Sequence, residues 1–181
     1  MKLFVPVFIS LMTIGSYAIA SDTKTEFMIP IHAVSTQGIG EKIGYVTVTE
    51  TERGIQLKPD LRDLPPGSHG FHVHENPSCA PQLKEDEMKA AGAAGNHYDP
   101  NATGKHSAPW GKDGHLGDLP TLSVTTTGVA TQPVIAPRLT LNDLHNRALV
   151  IHAGADNYSD YPEPLGGGGD RIACGVIKST P

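Results

Sequence analysis

His72 and His74 stand two residues apart in Gly-Phe-His-Val-His-Glu, residues 70–75. In a strand, residues i and i+2 point to the same face, so both imidazoles would project together while Phe71 and Val73 turn into a core. A single strand histidine is most often a solvated surface group. A same-face pair flanked by apolar residues reads instead as half of a metal site. His152 ends the apolar run 148–151, where a strand would deliver it to the rim of a sheet as a third imidazole. A second group, His97, His106, His115 and Asp118, lies within one long loop. Three imidazoles and a carboxylate make the donor set of a closed tetrahedral zinc site. Loop histidines can also be plain solvated groups, but four zinc-type donors in a loop too long to be idle argue against that. Of the nine histidines, His32, His69 and His145 are left as bystanders. His69 has the opposite strand parity to His72, and the other two stand apart from the clustered donors.

Short segments of β character must position these groups. The pattern predicts strands over 26–33, 42–50, 55–61, 69–74, 121–126, 129–135, 148–152 and 172–177, separated by Gly/Pro-rich turns. Helical periodicity is scarce: 83–91 is expected to make one or two turns and 141–144 one. Many short strands with such turns point to an all-β fold, a sandwich or closed Greek-key barrel. Two stretches, 76–119 and 153–171, are too long for ordinary connections and are expected to be functional loops. Gly166 to Gly169 forms a glycine run, without the strand–helix context or the Lys-Ser/Thr of a phosphate loop.

The ends and the composition bound the remainder. Residues 1–20 carry one charge, Lys2, then an apolar run and the small-x-small site Ala18-Ile19-Ala20, the pattern of a signal peptide cleaved before Ser21. Residues 21–181 then form a single domain, expected to be free of the membrane after cleavage. Lys2 is one of 14 basic side chains, which leaves 13 against 19 acidic ones, a formal −6. An acidic chain without a Lys/Arg cluster argues against nucleic acid as a partner. For an exported chain, a disulfide is the default for its two cysteines, Cys79 and Cys174. Two thiolate metal ligands are the weaker alternative, since no further cysteine lies near either.

Four segments resemble the copper,zinc superoxide dismutases: GFHVHE at 70–75, GNHYDP at 95–100, HLGDLP at 115–120 and GGGGDRIACGV at 166–176. DNYSD at 156–160 and the glycine run are most similar to the secreted bacterial branch. The resemblance spans essentially the whole of 21–181. It implies a Greek-key β-sandwich or flattened eight-stranded barrel with two long functional loops, in a periplasmic protein. It implies one copper per chain, held by His72, His74, His97 and His152, and one zinc, held by His97, His106, His115 and Asp118, with His97 bridging. Asp156 matches a carboxylate that hydrogen-bonds one ligand from each metal, Arg171 an arginine at the mouth of the copper channel, and Cys79 with Cys174 the family disulfide.

The implied reaction is a two-stage redox cycle. One superoxide leaves as dioxygen; a second, with one proton from His97 and one from water, leaves as hydrogen peroxide. Arg171 would supply local positive field for an anion approaching a negatively charged protein; alternatively, it braces a loop through backbone carbonyls. A non-catalytic copper- or zinc-binding module on the same fold is the competing reading, because fold alone does not settle function. It could dispense with His97 and Arg171, which this chain has. The only tryptophan, Trp110, is either a contact in a homodimer or a cover over the zinc loop.

Overall fold

A computed structural model describes residues 26–178. The expected signal peptide, 1–20, lies outside the described residues. The strands are β1 (Glu26–Ser35), β2 (Gly38–Thr51), β3 (Gly54–Leu61), β4 (Gly67–His69), β5 (Phe71–His74), β6 (Gln82–Lys84), β7 (Glu87–Lys89), β8 (Leu122–Val124), β9 (Val134–Ala136), β10 (Arg147–His152) and β11 (Arg171–Ile177). One short helix, α1 (Leu141–Leu144), precedes β10. Thr140 and Asp143 form its capping box, which offsets the marginal stability of a single turn.

Seven strands form one curled antiparallel sheet in the order β5-β10-β11-β1-β2-β3-β9, and β4 pairs with β8. The alternation in β3, where Ile55, Leu57 and Leu61 are buried and Lys58 and Asp60 exposed, is the period-two signature of a sheet with one face in a core. Ile29, Ile31, Val46, Phe71, Leu122 and Ile151 meet in that core, so β8 closes over the same interior as the large sheet. The all-β sandwich expectation is therefore met.

Three local expectations are corrected. Residues 83–91 are not helical: Glu85 and Asp86 both take positive φ, 49° and 64°, as a tight two-residue hairpin turn requires. Leu83 and Met88 are thereby cross-strand partners in the β6–β7 hairpin rather than neighbours on a helix. The expected strand 129–135 shrinks to β9, because Pro133 has no N–H to give a ladder. The expected strand 69–74 breaks at Gly70, whose N–H and C=O turn instead to Gly154 and His152.

β5 is the terminal strand of the large sheet, and its outer edge is taken up by the first long loop. Val73 N donates to Gly117 O at 2.9 Å, Tyr98 N to Val73 O at 2.8 Å and Glu75 N to Asn96 O at 3.1 Å. Gly117 is required there, since a Cβ would stand 2.3 Å from Val73 O. This stitching sets His97 opposite His74 and Asp118 opposite His72.

Candidate metal centre

β5 presents His72 and His74 on one face, with ring centroids 6.3 Å apart, while Phe71 and Val73 enter the core. β10 pairs with β5 at Val150↔His72 and Ala148↔His74, so His152, two residues on, emerges on the same side. A register shift at Ile151/His152 brings His152 opposite Arg171 on β11. Ligand atoms of His72, His74, His97 and His152 all lie within 4.8 Å of one another, and all four residues are buried.

Each of these rings has one nitrogen occupied and one free. His72 Nε2 meets Asp156 Oδ2 at 2.7 Å, His74 Nδ1 donates to Gly95 O at 3.1 Å, and His152 Nδ1 donates to Gly169 O at 3.0 Å. His97 Nδ1 faces Asp118 Oδ1 at 2.9 Å. Those partners set the tautomers and leave His72 Nδ1, His74 Nε2, His97 Nε2 and His152 Nε2 buried without a partner. They are four of the six such side-chain atoms among the described residues. Buried polar atoms are normally satisfied, so four orphan lone pairs converging on one point fit a cation that prefers imidazole, such as copper.

The adjoining cluster has the opposite character. Nδ1 of His97, His106 and His115 lie 2.9, 3.0 and 3.4 Å from the single atom Asp118 Oδ1. One carboxylate oxygen has two lone pairs, too few for three good hydrogen bonds. The spacing is instead close to the edge of a tetrahedron with arms of about 2.0 Å, roughly 3.3 Å, which suits zinc. His72 also comes within 4.8 Å of His97, His106 and Asp118. Its Nε2 is already held by Asp156 and its Nδ1 belongs to the first group, so His115 is the better fourth donor.

Asp156 ties the two clusters, with Oδ2 on His72 Nε2 and Oδ1 on His106 Nε2 at 2.8 Å. Gly166 explains part of the glycine run: at φ 77° its Cβ would sit 2.0 Å from Asp156 Oδ1 and 2.8 Å from His106 Nε2. Burial disfavours charge throughout the cluster. It is the leading cause that holds His72 and His74 well below the ordinary histidine value, lowers His97, and takes His152 down to about 4. Burial acts the same way on His106, but Asp118 and Asp156, one on each ring nitrogen, outweigh it and raise it to about 9. Both carboxylates also lose solvation, yet their imidazole partners, His106 foremost, keep them well below the usual carboxylate range.

Arg171 is half-buried, with Nη1 donating to Ala91 O and Nη2 to Gly95 O, each at 2.6 Å. It lines a cavity of ≈ 330 Å³ with Lys84, Lys89, Gly92 and Asp170. Cys79 and Cys174 are joined, and the bridge packs with Ala91, Ala94, Ala148 and Val150 in a second small core.

One bystander is corrected. His69 lies outside both groups of clustered donors, but it is buried, with Nδ1 2.8 Å from His152 O and Nε2 2.7 Å from Pro65 O. It braces the backbone of a clustered histidine, a contact that strand parity alone does not reveal. Asp160, the last residue of DNYSD, is given no role by that motif, yet Oδ2 accepts from His106 N at 2.8 Å and Oδ1 from Leu165 N at 3.0 Å.

The family model described as copper/zinc superoxide dismutase (SODC) matches residues 42–177. A relative from Escherichia coli (strain K12), named superoxide dismutase (Cu-Zn), is 51% identical over 168 residues, covering 92% of this chain and 94% of its own. The solved structure of the Cu/Zn superoxide dismutase from Brucella abortus has a TM-score of 0.83 at 47% identity, over 85% of this chain and 100% of that one. The solution structure of the monomeric copper, zinc superoxide dismutase from Salmonella enterica has a TM-score of 0.76 at 54% identity, with the same coverage. With that extent of match, and with two adjoining histidine clusters of the matching donor types, the chain belongs to the copper/zinc superoxide dismutase family.

Proposed function

We propose that this chain disproportionates two superoxide anions to dioxygen and hydrogen peroxide at the paired cluster. Copper is assigned to His72, His74, His97 and His152, and zinc to His97, His106, His115 and Asp118. The observation that carries this reading is the sharing of His97: Nδ1 faces Asp118 with the zinc-type donors, and Nε2 is an orphan among the copper-type donors. When bound, copper supplies a one-electron carrier between two oxidation states, and zinc a redox-inert Lewis acid.

The protein's own groups do the remainder. Of the four unpartnered nitrogens only His97 Nε2 belongs to a ring shared with the zinc-type donors, so it is the atom that would take up one proton and return it to the peroxide product, the second proton coming from water. Asp156 keeps the His72 and His106 rings in register through its two oxygens. Arg171, with Lys84 and Lys89 beside the same cavity, gives an anion a positive approach on a chain of net negative charge. Two of its donors are spent on Ala91 O and Gly95 O, so bracing the loop and meeting the substrate are compatible roles for one guanidinium.

The signal-peptide pattern at 1–20 and the paired cysteines support export to the periplasm. No helix among the described residues is long and apolar enough to cross a membrane. Trp110 is 64% exposed and is the candidate self-contact for a homodimer.

The test is elemental analysis of the purified mature protein alongside a superoxide-decay assay. One copper and one zinc per chain with catalysed decay is expected. A fully metal-loaded protein that leaves decay at the uncatalysed rate would instead favour the non-catalytic binding module.

A further inference from the structure

Between 102 and 117 the chain forms neither helix nor strand, although His106 and His115 both lie there. Backbone groups near these residues must find partners elsewhere. Arg138, in the connection between β9 and α1, supplies three. Its Nε donates to Pro109 O at 2.8 Å, Nη1 to Gly114 O at 3.0 Å and Nη2 to His115 O at 2.5 Å. One planar fork thereby closes the segment 109–115 on itself and fastens it to the sheet-borne part of the protein.

His115 depends on this more than its fellow donors do. The His106 ring has a carboxylate on each nitrogen, and its backbone N–H is held by Asp160. The His97 backbone lies against β5. Among the described residues the His115 ring has one hydrogen-bonding partner, Asp118 Oδ1, at 3.4 Å the longest of the three approaches. Its place is therefore set by its main chain: N on Lys105 O at 2.9 Å and O under Arg138.

We infer that Arg138 is a positioning residue of the zinc site, the one that sets His115, acting through the carbonyl of His115 and touching no donor atom itself. The inference rests on the assignment of His115 to zinc. A cation beside a divalent ion repels it, so the contribution is geometric. Lysine, a point charge with three donors at one atom, cannot span three carbonyls as a guanidinium does.

The test uses the full mature protein carrying Arg138→Ala, Arg138→Lys or His115→Ala. Zinc affinity is measured by chelator competition, and the visible absorption of cobalt(II) placed in the zinc site reports its coordination geometry. Both Arg138 variants should lose about 10–100-fold in zinc affinity, the usual cost of removing such a partner, and show an altered cobalt band while retaining copper. Parental affinity and an unchanged band in Arg138→Ala would overturn the inference, as would full rescue by Arg138→Lys. If Arg138→Ala does not fold, Arg138→Lys carries the same decision. An unchanged zinc affinity in His115→Ala would instead remove His115 from the site, a separate failure.

Discussion

Arg171 and His74 donate to the same acceptor. The carbonyl oxygen of Gly95 takes Nη2 of Arg171 at 2.6 Å and Nδ1 of His74 at 3.1 Å. A residue that lines the cavity and a copper-type donor are thus fixed to one backbone atom, and the loop that bears it is fastened by both.

Arg171→Ala should lower kcat/KM several-fold while leaving copper and zinc in place, because Arg171 is not among the clustered donors. Arg171→Glu should be worse. Screening acts over about 10 Å at 0.1 M salt, so the parent rate should fall with ionic strength and the alanine variant should respond less. Stopped-flow rates over a salt series check this; equal slopes would leave Arg171 only its bracing role.

The metal-free protein should be most stable near pH 6.5. His106, raised to about 9 when folded, contributes stability that is complete below its unfolded value of about 6.5 and is lost as pH rises through 9. His72, His74, His97 and His152 are depressed, so below about 6.5 the unfolded chain binds protons that the folded one refuses, and stability falls there too. Melting temperatures of chelator-stripped protein from pH 5 to 9.5 measure both limbs, and His106→Asn should flatten the alkaline one.

Cys79→Ser should destabilise the fold by a few kcal/mol. The bridge spans a sequence separation of 95, for which chain entropy gives about 4–5 kcal/mol as an upper estimate. It should also reduce kcat/KM, since the bridged loop carries the carbonyls of Ala91 and Gly95 that hold Arg171. Denaturant titration with and without reductant separates the stability effect: reductant should weaken the parent and leave the variant unchanged.

Trp110→Ala should shift the protein toward smaller species in sedimentation velocity if the exposed indole is a self-contact. Its ring meets Tyr158 edge-on at 5.4 Å, which covers only one side. An unchanged sedimentation coefficient over a concentration series assigns Trp110 to covering the loop that bears the zinc-type donors.

The strand parity of His72 and His74, the endpoint of 148–152 and the donor set of the 76–119 loop were legible in the sequence because each is a local pattern. The β6–β7 hairpin was not: an apolar residue at each end of a charged stretch fits a helix face as well as a cross-strand pair, and only the backbone at Glu85 and Asp86 decides. The contacts of His69, Arg138 and Asp160 were also hidden. Each acts on a backbone group far along the chain, 83 residues away for His69, and no periodicity encodes such a contact.

The stitching of the first loop onto β5 has a consequence beyond placing donors. An unpaired terminal strand is a template for pairing with other chains. Here the segments that cap that border, 96–98 and 117–118, belong to the loop that carries the zinc-type residues. Ions that bind the folded loop would therefore also keep the border closed, and losing them would raise the population in which it opens. Metal supply would thus govern colloidal behaviour as well as turnover: a starved population would tend to assemble through β5 before it unfolds globally.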